Sequence, residues 1–245
     1  MFGFKKRFIS LLIRHQIIDA EQLELLSKEP FHKKTKNSIT RHEFFYNAFY
    51  LLSCNNISGD YIEFGCYGGM TFNHAYKESQ RHGNSAKLWA FDSFKGLPAP
   101  KNDKDIHPCW HEGAMQMSLE EFHLVCKKNN IPKDAYQVVP GFYDLTLKNL
   151  GPNESPSNIA LAYIDCDLYS STIEVLDFLH PRLKHGMIIA FDDYFMYSHN
   201  QISGNRKAML ESFPVEGEFQ LLPYMQYAHV GQSFIIEDKK ITNQL

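Results

Sequence analysis

Five short apolar runs, DYIEF, KLWAF, AYQVV, IALAYI and MIIAF, recur between Asp60 and Phe191 with longer helix-compatible stretches between them. Runs of this length, rich in branched and aromatic residues and bounded by turn formers, read as strands buried on both faces. Alternation with helical stretches implies a parallel sheet covered on both sides. Two later runs, FQLLPY and QSFIIE, lie too close together for a crossover helix, so they should close the sheet as an antiparallel pair. The expected fold is therefore α/β: a doubly wound Rossmann-like sheet, mostly parallel, with a C-terminal antiparallel hairpin. Residues 58–245 would form this domain and residues 1–57 a helical preface used for packing, as a lid or as an oligomer contact. In the preface, Thr40 is placed to cap a helix carrying Phe44, Phe45, Ala48, Phe49 and Leu52. Phe4, Phe8, Leu11, Leu12 and His15 also recur at helical spacing, and Arg14 and His15 interrupt that stretch before a signal-peptide core or spanning helix can form.

The fourth and fifth runs each end abruptly in carboxylates, Asp165-Cys166-Asp167 and Asp192-Asp193. Ligands of an open α/β sheet bind at the carboxyl ends of its strands, so four acids from two strands can converge on one hard cation. Crowded carboxylates repel unless something neutralises them. Either pair alone would be read as a helix cap or a solvated loop; their occurrence at successive strand ends favours a metal site. Alternation along an extended segment would put Asp165 and Asp167 on one side.

The loop after the first run, Glu63-Phe64-Gly65-Cys66-Tyr67-Gly68-Gly69, has the spacing GxxGG. It departs from the GxGxxG in which the second glycine makes room for a pyrophosphate, so a dinucleotide is disfavoured. Glu63 at a strand end would suit a cationic amino group such as that of S-adenosyl-L-methionine. Asp92, followed by Ser93, ends the second run, where an acid can accept both ribose hydroxyls. Gly141 and Phe142 follow the third, where an aromatic ring can lie against an adenine face.

Composition excludes several classes. The 245 residues carry a formal net charge of −3 with acids and bases interspersed, so no basic stripe marks a nucleic-acid partner. The five cysteines are scattered and lack CxxC spacing, which argues against a disulfide framework and a zinc ribbon and fits a reducing cytoplasm. HPCWH at 107–111 reads as a loop, since no second ligand cluster accompanies it.

In succession, EFGCYGG, FDSFKGLP, PGFYDLTL, YIDCDLYSST and KHGMIIAFDDY resemble the macrocin O-methyltransferase family, over roughly residues 59–213. The resemblance implies a class I methyltransferase that uses S-adenosyl-L-methionine and a divalent ion, usually magnesium, to methylate a sugar hydroxyl. It implies Asp165, Asp192 and Asp193 as metal ligands and Asp167 as general base. Glu63, Gly65, Gly69, Asp92, Ser93, Gly141 and Phe142 are then the expected cofactor-binding residues. This chain has His185-Gly186 and Cys66-Tyr67 where the family often has Gly-Gly and Trp-Arg, changes that spare the acids and bear on substrate fit.

Competing readings are a phenol or catechol O-methyltransferase using the same metal, an NAD-dependent oxidoreductase, and a non-catalytic nucleotide-binding module. Calorimetry with NAD discriminates the second, and the intact acids oppose the third. Ser170, Ser171 and Thr172 are expected to cap a helix beginning near Ile173, and Trp110 to Phe122 is long enough to form a lid. Lys101, Lys104, His107, Arg206 and Lys207 are candidates for a nucleotide-sugar diphosphate, and His199 for substrate contact.

Overall fold

A computed structural model describes residues 39–242 other than 85, 152 and 153. The Phe4–His15 pattern thus lies outside the described residues. Helix α1 (Arg41–Cys54) opens with a capping box: Thr40 Oγ1 accepts the Glu43 amide at 3.1 Å, and the Glu43 carboxylate accepts the Thr40 amide at 2.7 Å. Its inward face is Phe44, Phe45, Ala48, Phe49 and Leu52, as the helical spacing predicts.

The chain then alternates β1 (Asp60–Phe64), α2 (Met70–Arg81), β2 (Leu88–Asp92), α3 (Leu119–Lys128), β3 (Tyr136–Pro140), the short α4 (Tyr143–Thr146), β4 (Ile159–Ile164), α5 (Tyr169–Leu179), β5 (Ile188–Phe191) and α6 (Gly204–Ser212). It closes with β6 (Phe219–Tyr227), β7 (Gly231–Asp238) and α7 (Lys239–Thr242). The seven strands lie in the order β3-β2-β1-β4-β5-β7-β6. The first five are parallel, whereas β7 runs antiparallel to both β5 and β6. Strand order reverses between β1 and β4, so the loops leaving these two strands diverge and open a crevice at their carboxyl ends.

Side-chain alternation builds a core on each face of the sheet. Tyr61, Tyr163 and Ala190 point to the face covered by α1 and α2, and Ile62, Phe64, Ile164 and Phe191 to the face covered by α5 and α6. Helix α1 is built into the first of these cores. Phe44 stacks on Tyr227 at 4.4 Å between ring centroids, and Phe45 lies 5.1 Å from Tyr163. Among the described residues no helix is long and apolar enough to cross a membrane.

Two local expectations change. Helix α5 begins at Tyr169, four residues before Ile173, so Ser170, Ser171 and Thr172 lie in its first turn and do not cap it. The N-cap position is Leu168, which has no capping side chain; Asp105, 65 positions upstream, accepts the Ser170 amide at 2.7 Å instead. The expected lid at Trp110–Phe122 also runs into helix at Leu119, because Ser118 and Glu121 form a capping box.

Candidate active site

Strand β1 meets the crevice at Gly65, whose φ of +91° and close approach to β4 both require glycine: a Cβ there would stand 1.9 Å from the Asp165 carbonyl oxygen. The loop that follows is tied to β2 by Asp92. One Asp92 oxygen accepts the Cys66 amide and the other the Phe94 amide, each at 2.7 Å. Each oxygen keeps a second lone-pair direction for a ligand hydroxyl. Burial raises the Asp92 pKa, against the pull of these two amides. Gly65, Asp92, Ser93, Gly141 and Phe142 all line one cavity, together with Asp165, Asp167 and Ser170 across the crevice.

Glu63 and Gly69 do not line it. Gly69 precedes α2 and packs against Val125. Glu63 is fully buried beneath the loop, where it accepts the Tyr61 hydroxyl and the Thr71 hydroxyl, the latter at 2.7 Å. Burial pushes its pKa up to about 8, outweighing both hydroxyls. A carboxyl whose pKa is raised by folding contributes stability that is fully present below its ordinary value of 4.5 and lost as pH rises through about 8. Glu63→Gln should therefore flatten the fall in thermal midpoint between pH 4.5 and 8; an unchanged slope in thermal melts would contradict a buried, proton-binding Glu63.

Asp165, Asp167 and Asp193 come together at the ends of β4 and β5, each with a carboxylate oxygen within 4.8 Å of the others. Asp165 and Asp167 meet through a tight turn and not through the extended alternation expected of DxD. The Leu168 amide donates to the Cys166 carbonyl at 2.6 Å, which places Asp167, at φ +59°, in the middle of a three-residue turn. A non-glycine residue in the left-handed region is strained, and such strain clusters where side-chain placement matters. Burial, followed by repulsion from Asp192 and Asp193, raises the Asp165 pKa well above the usual range; burial, then Asp193 and Asp165, does so for Asp167. Three carboxylates whose oxygens lie this close together fit a hard divalent ion such as magnesium.

Asp192 leaves β5 on the side of the sheet that α1 covers, where its partners are Arg41 and Tyr163. It is 3% exposed and bound by Arg41, whose Nε donates at 2.8 Å while the guanidinium reaches its second oxygen, and by the Tyr163 hydroxyl. The structure thus assembles Asp165, Asp193 and Asp167, and gives Asp192 a guanidinium as its counter-charge. Arg41 and Asp192 lie 151 positions apart, and nothing local in the sequence marks the pair. Tyr163 carries a clearer signal: a tyrosine inside a fully buried strand must find a partner for its hydroxyl.

Most of the cations considered for a diphosphate have protein partners. Lys101 pairs with Asp144 at 2.9 Å, and Lys104 and Lys207 pair with Glu211 at 3.2 and 3.1 Å. Arg206 lies against the Tyr194 and Tyr197 rings, and His107 against Trp110. His199 is exposed in the loop after Asp193. His107, Cys109 and His111 form no ligand cluster; among the described residues the three aspartates are the one such grouping. All five cysteines are free.

A seven-stranded sheet of this order, with a glycine loop and a strand-end acid lining the crevice, defines the class I methyltransferase architecture. The family model described as Macrocin-O-methyltransferase (TylF) matches residues 10–209, and the chain belongs to that family. It is 28% identical over 146 residues to 8-demethyl-8-(2,3-dimethoxy-alpha-L-rhamnosyl)-tetracenomycin-C 4'-O-methyltransferase of Streptomyces olivaceus, covering 57% of this chain and 54% of that one. It is 27% identical over 148 residues to demethyldecarbamoylnovobiocin O-methyltransferase of Streptomyces niveus, covering 58% and 55%. The chain thus spans about half the length of these curated relatives. Among solved structures, the O-methyltransferase NovP superimposes with a TM-score of 0.68 at 21% identity, over 94% of this chain and 98% of that one. An O-methyltransferase from Bacillus cereus in complex with SAH gives 0.52 at 13% identity, over 89% and 87%.

Proposed function

We propose that the protein transfers a methyl group from S-adenosyl-L-methionine to a hydroxyl of a sugar or sugar-containing metabolite, with a divalent ion at the acid cluster. The observation that carries this reading is a single cavity walled on one side by Gly65, Asp92, Ser93, Gly141 and Phe142 and on the other by Asp165 and Asp167. A donor held by the first wall would present its sulfonium methyl toward the second. The family and the sugar-modifying relatives support a sugar hydroxyl as acceptor. Residues 58–245 are taken as the catalytic unit, with α1 supplying Arg41 from outside it. The scattered cysteines, without disulfide or zinc spacing, support a reducing, cytoplasmic setting.

The sulfonium methyl is already electrophilic, so the task of the chain is to position an acceptor oxygen and remove its proton. Asp92 would hold the ribose through its free lone pairs, and Phe142 would lie against the adenine. Asp165, Asp192 and Asp193 are the proposed ion ligands; Asp192 would carry the ion's charge alongside that of Arg41, its partner in the structure. A divalent ion there would lower the pKa of a hydroxyl on it, so that a carboxylate suffices as base. Asp167 is that base, held in its turn to face the cavity. As O–H breaks and O–CH3 forms, the proton passes to Asp167 and the donor leaves as neutral S-adenosyl-L-homocysteine.

The test is methyl transfer from labelled S-adenosyl-L-methionine to free sugars, nucleotide-sugars, glycosides and phenols, with magnesium and with chelator. Label on a sugar hydroxyl, lost in chelator, is expected. Transfer to phenols alone, or calorimetric binding of NAD without any transfer, would overturn the assignment.

A further inference from the structure

Beyond the strand-end residues, the cavity is lined by two further walls that the chain brings in separately. Gly96, Leu97, Pro98, Lys101 and Met115 come from the long segment between β2 and α3, and Ser170, Ser171 and Glu174 come from the first turns of α5. Asp105 stands between them. It is fully buried, in a 3-10 turn at Asp103–Asp105, and every contact of its carboxylate given by the structure is to a backbone amide. One oxygen accepts the Lys101 and Asn102 amides at 2.8 and 3.3 Å, closing its own turn. The other accepts the Ser170 amide of α5 at 2.7 Å.

That last bond substitutes for a missing N-cap. Leu168 at the cap position offers no side-chain oxygen, and the first-turn amides of a helix need an acceptor. A carboxylate there also meets the positive end of the helix dipole. Helix α5 leaves the turn that holds Asp167, so the residue that fixes its first turn also fixes the exit of the acid-bearing loop. Further contacts hold the same segment in place: Lys104 lies over the Tyr169 ring at 4.4 Å and reaches Glu211 at 3.2 Å, and Gln201 donates to the Asp103 carbonyl at 3.0 Å.

We propose that Asp105 is a positioning residue of the site: by capping α5 from the β2–α3 segment, it locks the two cavity walls together so that closure of that segment and placement of the α5 wall are one structural state. The inference rests on the reading that the cavity receives S-adenosyl-L-methionine. Its chemical requirement is an acceptor with two oxygens, one for each wall. Alanine supplies none and asparagine one.

The experiment compares the full chain with Asp105→Ala, Asp105→Asn and Ser118→Ala. Ser118 caps α3 through its own segment and bridges no walls, so its loss removes a helix cap and nothing else. Binding of S-adenosyl-L-homocysteine is read by calorimetry. Acrylamide quenching of Trp110 is read in a Trp89→Phe background, since the chain has two tryptophans and Trp110 lies in the segment concerned. Asp105→Ala should weaken S-adenosyl-L-homocysteine about tenfold and raise quenching, the size of effect that loss of one capping interaction gives. Asp105→Asn should fall between it and the parent, and Ser118→Ala should match the parent in both readouts. Parent-like affinity and quenching in Asp105→Ala, or equal losses in Ser118→Ala, would overturn the proposal. If Asp105→Ala does not fold, Asp105→Asn decides: weakened binding with raised quenching supports the lock, and parental values overturn it. Failure of the parent to bind S-adenosyl-L-homocysteine would instead sink the functional reading, and the quenching comparison would still decide the lock.

Discussion

Gly65→Ala is expected to cost more stability than any other single added methyl at this site. The residue sits at φ +91°, and the new Cβ would lie 1.9 Å from a backbone oxygen of the neighbouring strand. Neither strand can give way, because the Asp165 amide donates to the Phe64 carbonyl at 2.8 Å and the Gly65 amide to the Phe91 carbonyl at 2.9 Å. Backbone strain at a left-handed position alone costs about 1–3 kcal/mol. With the clash added, a loss of roughly 4 kcal/mol or more is expected, the range reserved for overpacked or strained sites. Gly68 provides the comparison, since its φ is +77° but a Cβ there would meet nothing within 4 Å. Gly68→Ala should therefore carry the strain cost without the clash. Urea unfolding of both variants checks this, and equal midpoints would mean that β1 and β4 do not approach as described.

Asp165→Asn and Asp167→Asn should move activity and stability in opposite directions. Removing a proton acceptor or an ion ligand from the reacting centre should lower methyl transfer by a factor on the order of 10²–10⁴. The same changes should leave the metal-free protein as stable at neutral pH, or more so. Burial and mutual repulsion raise both pKa values above the ordinary 3.8, so the stability these groups contribute is present below that value and lost as pH rises. Replacing either charge by an amide removes that loss. Such a trade of stability for function is expected where like charges are crowded to await a ligand. Thermal melts in chelator beside activity in magnesium test it; a large drop in melting temperature would mean that the acids hold the fold and are not a prepared site.

What can be read from the chain follows from the range of each interaction. The strands are legible because burial on both faces leaves continuous apolar runs, and the hairpin because the gap before QSFIIE is short. Asp92, Gly141 and Phe142 lie at strand ends, which topology alone brings to one edge. The partners of Glu63 and Asp192 are not legible, since a strand-end acid can face the ligand edge or turn back into the core. For Asp192 the choice goes to Arg41, on a helix whose sequence signals its amphipathic face but not its end contacts. The turn at Asp167 escapes the sequence because DxD reads as extended until the backbone is seen. Ser170–Thr172 have the composition of a cap, yet Asp105 supplies the cap from a loop whose sequence gives no sign of where it docks.

The central claim is that donor pocket and acid cluster form one site. Its most direct test is the NMR signal of 13C-methyl S-adenosyl-L-methionine bound to the protein, with manganese as a paramagnetic ion. Manganese should broaden the S-methyl resonance in the parent and lose that effect in Asp165→Asn and Asp193→Asn. A bound donor whose methyl resonance stays sharp in the parent with manganese bound would contradict the account.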